Sequence, residues 1–191
     1  NQVNGKADHS FSHKVKTKGI TDQKSSGRCW SFTSMNVLRP KVIEKYELNE
    51  FEFSYNYTYF WDQFEKANLF LESIINTADK PFGDRGVEWF FKNTINDGGV
   101  WNLFVDVTNK YGIVPSKVMP ETFHSNNTSM MSRILTSKLR EGALKLREIA
   151  GKNKNNREQL DKQKLETLSE VYRILAYCLG EPPSEFVWRF E

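Results

Sequence analysis

Two side chains with complementary chemistry stand close together near the start of the chain, in the stretch QKSSGRCWSF between Gln23 and Phe32. Cys29 offers a thiol, which becomes a strong nucleophile when it is ionised. Gln23, six residues earlier, offers a side-chain amide that can donate a hydrogen bond to an oxyanion. Because hydrolysis of an acyl bond needs both an attacking group and such a donor, the spacing predicts a thiol-dependent hydrolase.

The residues that flank Cys29 predict how it is positioned. Gly27 permits a tight turn just ahead of it, and apolar residues recur at helical spacing after it: Trp30, Phe32, Met35 and Leu38. We therefore expect Cys29 to open a helix, where unpaired backbone amides and the helix dipole favour thiolate over thiol. The backbone amide of Cys29 then becomes a second oxyanion donor beside Gln23.

A second interpretation of Cys29 stays open at this point. A lone cysteine beside aromatic residues is more often a small buried hydrophobe than a nucleophile. The combination of Gln23, Gly27, Cys29, Trp30 and Phe32 favours the nucleophile.

At these residues the chain resembles the papain-like cysteine peptidases, and more closely the bleomycin hydrolase and aminopeptidase C family. The similarity extends from about His9 to the last residue and includes five further segments: EFEFS (50–54), EKANLFLE (65–72), DGGVWNLF (97–104), KYGIVP (110–115) and EFVWRFE (185–191). The resemblance implies a cysteine-type aminopeptidase that acts on peptides, with no cofactor and no metal.

The resemblance also implies roles for individual residues. Cys29 is the nucleophile and Gln23 the oxyanion donor, while Trp30 packs at the helix start and shields the site. Gly98 and Gly99 let the substrate backbone approach the cleft wall. A plain turn between two helices explains the two glycines equally well, since glycine has the conformational freedom that turns need.

The general base is the main departure from the family pattern. A thiolate that attacks an amide needs an imidazole to protonate the leaving amine, and the chain offers only His9, His13 and His124. All three lie in polar segments that the resemblance does not make catalytic. We therefore expect the catalytic His and its orienting Asn to lie outside this chain, which alone should be inactive.

The two cysteines bear on the compartment. Ser26 stands where the secreted papain-type signature has a second cysteine, and Cys178 lies far away in an apolar helical segment that favours a core position. Two cysteines without local pairing fit a reducing compartment, so we expect a cytoplasmic protein.

The fold class expected is α+β, a papain-like fold with a mostly helical N-terminal lobe and a helical insertion, incomplete without a C-terminal β-rich lobe. The predicted segments are an arm (1–22), a left-lobe catalytic part (23–125), and a helical insertion with the start of the next strand (126–191). Ser54 is expected to cap a helix, and further helices are expected near 87–95, 102–111, 129–150 and 157–179. The last two resemble the insertion that supports a hexameric barrel in the family, which implies a homohexamer.

Composition and charge leave one rival class of function. An aromatic content of 14% argues against disorder, and no stretch approaches the roughly twenty apolar residues of a membrane span.

Residues 138–164 hold nine Lys or Arg against four Asp or Glu, and this excess of positive charge could bind the phosphates of a nucleic acid. A solvated helical surface is the favoured interpretation, because acidic residues are interleaved and no aromatic platform accompanies the basic ones. A noncatalytic helical module that kept the fold is the other alternative.

Overall fold

The computed structural model describes residues 10–13, 15, 19–152 and 157–189, and most of these lie in helices. The helices are α1 (Cys29–Lys45), α2 (Tyr55–Asn76), α3 (Arg85–Lys92), α4 (Trp101–Tyr111), α5 (Phe123–Asn126), α6 (Ser129–Lys152) and α7 (Arg157–Leu179). Within the described ranges the strand pairing consists of two isolated bridges, Ser25 with Asn127 and Phe53 with Pro115. The mostly helical lobe that the sequence predicted is confirmed, and the described end of the chain, 180–189, lies outside helices and strands.

The predicted helix boundaries agree with the structure in most places. Ser54 caps α2, since its hydroxyl accepts a hydrogen bond of 3.0 Å from the backbone N–H of Tyr57. The helix expected near 87–95 is an exception because α3 ends at Lys92. Thr94 instead donates its hydroxyl to the Phe91 carbonyl at 3.0 Å, a local bond that competes with continuation of the helix.

The larger hydrophobic core lies between α2, α6 and α7. It buries the expected stripes of the last two helices, including Leu135, Leu139, Leu146, Leu160, Leu168, Val171 and Leu175. Ile134, which the sequence placed in the same stripe, is 44% exposed, because its neighbour Leu135 takes the buried position and successive helix residues point about 100° apart. The predicted catalytic part and helical insertion therefore share one core.

A smaller core holds α1 in place. It contains Trp30, Phe32 and Met35 from the first turns of α1, with Phe53, Tyr55 and Phe104 from the segments around it. The rings of Phe32 and Tyr55 stack with centroids 3.7 Å apart. Further along the chain, Trp188 packs against Phe51 at 5.4 Å, so the last described residues also contact the α1 side of the molecule.

Among the residues that the structure describes, no helix combines the length and the apolar character needed to cross a membrane.

Candidate active site

Cys29 is the first residue of α1, as the sequence predicted, and its side chain is exposed. The preceding residue, Arg28, is the N-cap, and its side chain makes no capping hydrogen bond to the first turn. The free N–H groups of a helix start carry partial positive charge and attract anions. An exposed thiol in this position can reach a substrate, which excludes the interpretation of Cys29 as a buried hydrophobe.

Arg28 connects the start of α1 to Glu121 through a buried ion pair. Its side chain is fully buried, and it donates to both carboxylate oxygens of Glu121, at 3.1 and 2.8 Å. The guanidinium also lies 5.2 Å from the Phe32 ring centre and 5.4 Å from that of Tyr59. Sequence reasoning missed Arg28 and Glu121, because nothing local to either residue indicates a pairing 93 positions apart.

Gln23 lies on the loop that leads into α1. Its side-chain amide donates to the carbonyl of Ser26 at 2.6 Å, and the Ser26 hydroxyl donates back to the Gln23 carbonyl at 2.6 Å. These two bonds close the loop on itself. A glutamine amide carries two N–H groups, so this contact uses one and orients the other.

The loop is also hydrogen-bonded to the segment that joins α5 to α6. The backbone N–H of Ser25 donates to the Asn126 carbonyl at 3.0 Å, and the Thr128 N–H donates to the Ser25 carbonyl at 3.4 Å. The segment before the nucleophile is therefore held by main-chain bonds from a distant part of the chain.

Trp30 connects the helix start to the glycine pair. The indole is 6% exposed, and its N–H donates to the Asp97 carbonyl at 2.9 Å. A β-carbon on Gly99 would lie 2.7 Å from the indole ring atoms, so only glycine fits at this distance. The structure thus brings Trp30 and Gly99 together, while Gly98 is exposed beside them.

Lys66 of α2 holds the same turn from its other side. Its ammonium donates to the carbonyls of Asn96 at 3.0 Å and Gly98 at 2.6 Å, and it pairs with Asp62 at 2.7 Å. The ammonium also lies 5.8 Å from the Trp30 ring centre. The turn at 96–99 is thus a fixed wall next to the residue that follows Cys29.

The sequence model of the Peptidase C1-like family matches residues 1–191, which is the whole of this sequence. The chain belongs to the Peptidase C1-like family. Membership confirms the resemblance that the QKSSGRCW segment carried, and it places Cys29 and its helix in a family of peptidases.

Individual relatives are similar along nearly all of this chain. Aminopeptidase C of Lactobacillus delbrueckii subsp. lactis is 42% identical over 183 residues, which are 96% of this chain and 40% of that protein. Bleomycin hydrolase of Gallus gallus is 41% identical, over 94% of this chain and 40% of that protein. A crystal structure of PepW from Lactobacillus rhamnosis superposes with a TM-score of 0.89 at 40% identity, covering 94% of this chain and 40% of that one. The papain-like fold is thereby confirmed, and the chain spans about two fifths of the length of these relatives.

The two histidines that the structure describes in this peptidase C1-like chain, His13 and His124, are not hydrogen-bonded to the nucleophile. In the described part of the chain, neither His13 nor His124 makes a hydrogen bond with Cys29: His13 contacts Ser12, and the buried Nδ1 of His124 has no partner. His9 lies outside the described residues.

The other free cysteine and a possible metal site are the alternatives to Cys29 as a reactive site. Cys178 is half-buried, and burial raises the pKa of its thiol, so it is the less reactive of the two cysteines. The described residues also contain no group of three or more His, Cys, Asp or Glu side chains arranged to hold a metal ion.

Proposed function

We propose that this chain carries the nucleophile part of a cysteine-type aminopeptidase, with Cys29 as the nucleophile. The observation that carries the proposal is the exposed Cys29 thiol at the uncapped start of α1. Its neighbour Trp30 is bonded to the turn that bears Gly98 and Gly99. In this proposal the exposed backbone at Gly98 and the partly buried backbone at Gly99 line the substrate cleft, and Trp30 shields the thiolate.

The reaction begins when the Cys29 thiolate attacks a peptide carbonyl and forms a C–S bond. The carbonyl oxygen becomes an oxyanion, which the second N–H of the Gln23 amide and the backbone N–H of Cys29 stabilise. Removal of one such donor typically costs about a hundred- to a thousandfold in rate. The C–N bond then breaks, the amine leaves with a proton from an imidazolium, and water hydrolyses the remaining thioester to restore the thiolate.

The base for this reaction is assigned to residues outside this chain. Since neither His13 nor His124 bonds to Cys29, we propose that a catalytic His and its orienting Asn come from a β-rich lobe that this sequence does not include. The proposed segments remain the arm at 1–22, the catalytic part at 23–125 and the helical insertion at 126–191. Without the missing lobe, the chain should not hydrolyse peptides.

The names of the relatives support a proposal for the substrate class. The names aminopeptidase C and bleomycin hydrolase support removal of N-terminal residues from peptides rather than cleavage within them. We further propose a cytoplasmic homohexamer in which α6 and α7 support the contacts between subunits.

The main rival, a nucleic-acid-binding surface at residues 138–164, is disfavoured by how its cations are used. Ion pairs engage five of them: Lys138, Lys145, Lys152, Arg157 and Lys164. Two more, Arg140 and Arg147, donate to main-chain carbonyls of Phe91 and Thr77. The paired carboxylates cancel part of the positive charge that would attract a phosphate, so the solvated-surface interpretation is favoured. In the part of the chain that the structure describes, no observation favours the other alternative, a noncatalytic helical module.

The proposal is tested with the full-length protein and an aminoacyl substrate that releases a coloured amine. Cys29→Ala should abolish hydrolysis, because no other group can form the thioester, whereas Cys178→Ala should leave the rate unchanged. In the wild type, iodoacetamide should label Cys29 much faster than Cys178, as seen by peptide mass spectrometry. Hydrolysis that survives in Cys29→Ala contradicts the proposal.

A further inference from the structure

We propose that Asp97 is a positioning residue for Cys29: its carboxylate fixes the turn that delivers the nucleophile to the start of α1. The inference rests on the proposed function and deepens it, since it concerns the same site. Sequence reasoning treated Asp97 only as the first residue of a glycine turn.

The Asp97 carboxylate collects donors from three separate parts of the chain. One oxygen accepts from the Tyr59 hydroxyl of α2 at 2.6 Å and from Ser132 of α6 at 3.4 Å. The other accepts from the Thr128 hydroxyl at 2.5 Å and from the backbone N–H of Gly27 at 3.2 Å. Hydrogen bonds to a carboxylate are stronger than those between neutral groups.

The hydrogen bond from the Gly27 N–H to Asp97 is the one that can affect the position of Cys29. Gly27 lies two residues before Cys29, so its N–H fixes the path by which the chain enters α1. A β-carbon on Gly27 would lie 2.8 Å from the Asp97 β-carbon, which shows how closely the two backbones approach. With Trp30 bonded to the Asp97 carbonyl, the residue holds the chain on both sides of Cys29.

The four donors differ in how they tolerate a change of partner. The hydroxyls of Tyr59, Thr128 and Ser132 can either donate or accept, whereas the Gly27 N–H can only donate. An asparagine at position 97 can therefore keep its oxygen toward Gly27 and turn its amide toward the hydroxyls. An alanine leaves the Gly27 N–H without an acceptor.

The experiment compares Asp97→Ala, Asp97→Asn and Tyr59→Phe in the full-length protein. Tyr59→Phe is the matched control, because it removes a buried bond to the same carboxylate without touching Gly27. The readouts are kcat and KM for an aminoacyl substrate, the rate of Cys29 alkylation by iodoacetamide, and the thermal melting temperature.

Asp97→Ala should lower kcat by about 100-fold, the usual consequence of a displacement of about 1 Å in a reacting group, and should slow Cys29 alkylation. Asp97→Asn should restore both to within about tenfold of the wild type, since it still offers one acceptor oxygen. Tyr59→Phe should lower the melting temperature while alkylation proceeds at the wild-type rate.

Three results would overturn the inference. One is an Asp97→Ala protein that melts earlier but is alkylated at Cys29 as fast as the wild type, which indicates a structural role only. Another is an equal loss of alkylation in Tyr59→Phe. If Asp97→Ala does not fold, Gly27→Ala replaces it, because the new methyl group must displace Asp97; unchanged alkylation there rejects the inference.

Failure of the proposed function gives a different result. A wild-type protein that does not hydrolyse peptides rejects the peptidase proposal, and the alkylation comparison still decides whether Asp97 positions Cys29.

Discussion

Trp30 is the residue through which the nucleophile and the proposed cleft wall are joined. Its indole is buried, bonded to the Asp97 carbonyl and in contact with Gly99, while its backbone lies in the first turn of α1. Because the Trp30 ring is packed against the turn at 96–99 and its backbone lies in α1, a movement of this turn also moves the start of α1. The Trp30 ring, together with the bond between Gly27 and Asp97, thus sets the distance between this turn and Cys29.

We expect Gly99→Ala to disturb this arrangement more than Gly98→Ala does. The added methyl group at 99 would lie 2.7 Å from the indole, whereas at 98 its nearest neighbour is the side-chain oxygen of Asn96 at 3.3 Å. Overpacking against a fixed ring typically costs about 1–3 kcal/mol, so Gly99→Ala should lower the unfolding free energy by that amount and raise KM. Urea denaturation of both variants provides the measurement, and equal stabilities would contradict the proposed contact.

At the scale of secondary structure, the start of α1 depends on elements that follow it much later. The Ser25 main chain is bonded on either side of Asn127, and Arg28 reaches Glu121 just before α5. Glu121 is itself held by the Ser125 hydroxyl at 2.7 Å. The helix that carries Cys29 therefore acquires its position only when the segment around α5 has packed beneath it.

Glu121→Gln should destabilise the protein because it leaves the Arg28 charge buried without a counter-charge. The side chain of Glu121 is 31% exposed, so we expect about 3 kcal/mol, the lower end of the cost of breaking a buried pair. Glu148→Gln is the matched control, because it breaks an ion pair with Lys152 in which both side chains are mostly exposed and should change stability little. Chemical denaturation distinguishes them, and similar losses in the two variants would refute the role of the buried pair.

Across the molecule, the sequence predicted the helices and missed the contacts between residues far apart in the chain. Cys29 and Trp30 lie at the start of a run of apolar residues at helical spacing, so periodicity was enough to place them in the first turn of α1, while the roles of Gln23 and Trp30 stay predictions. The bounds of α7 followed from its apolar stripe and from the glycine after it. Asp97 and Glu121 act across 70 and 93 positions, and no periodic pattern connects such distances.

The same tertiary packing creates a buried carboxylate whose ionisation couples the stability of the whole molecule to pH. Asp62 of α2 is 1% exposed, and burial raises its pKa to about 6, against the attraction of the Lys66 ammonium at 2.7 Å. Gln63 donates a hydrogen bond of 3.1 Å to the Asp62 carboxylate, which lowers the pKa of Asp62. The negative charge of Asp97 raises the pKa of Asp62. The ordinary value, 3.8, applies in the unfolded chain.

The folded protein binds the proton of the Asp62 carboxyl more tightly than the unfolded chain does. The contribution of Asp62 to stability is therefore fully present below pH 3.8 and is lost as the pH rises through about 6. Asp62→Asn lacks this dependence, so its unfolding free energy relative to the wild type should rise by about 2 kcal/mol between about pH 4.5 and 7.5. Glu148→Gln is the control and should show no such rise in this range, since its hydrogen bond with Lys152 lowers the pKa of Glu148 from 4.5 and so confines its titration to lower pH. Urea titrations at several pH values give both curves, and a difference between Asp62→Asn and wild type that does not change with pH would mean that Asp62 stays ionised in the folded protein.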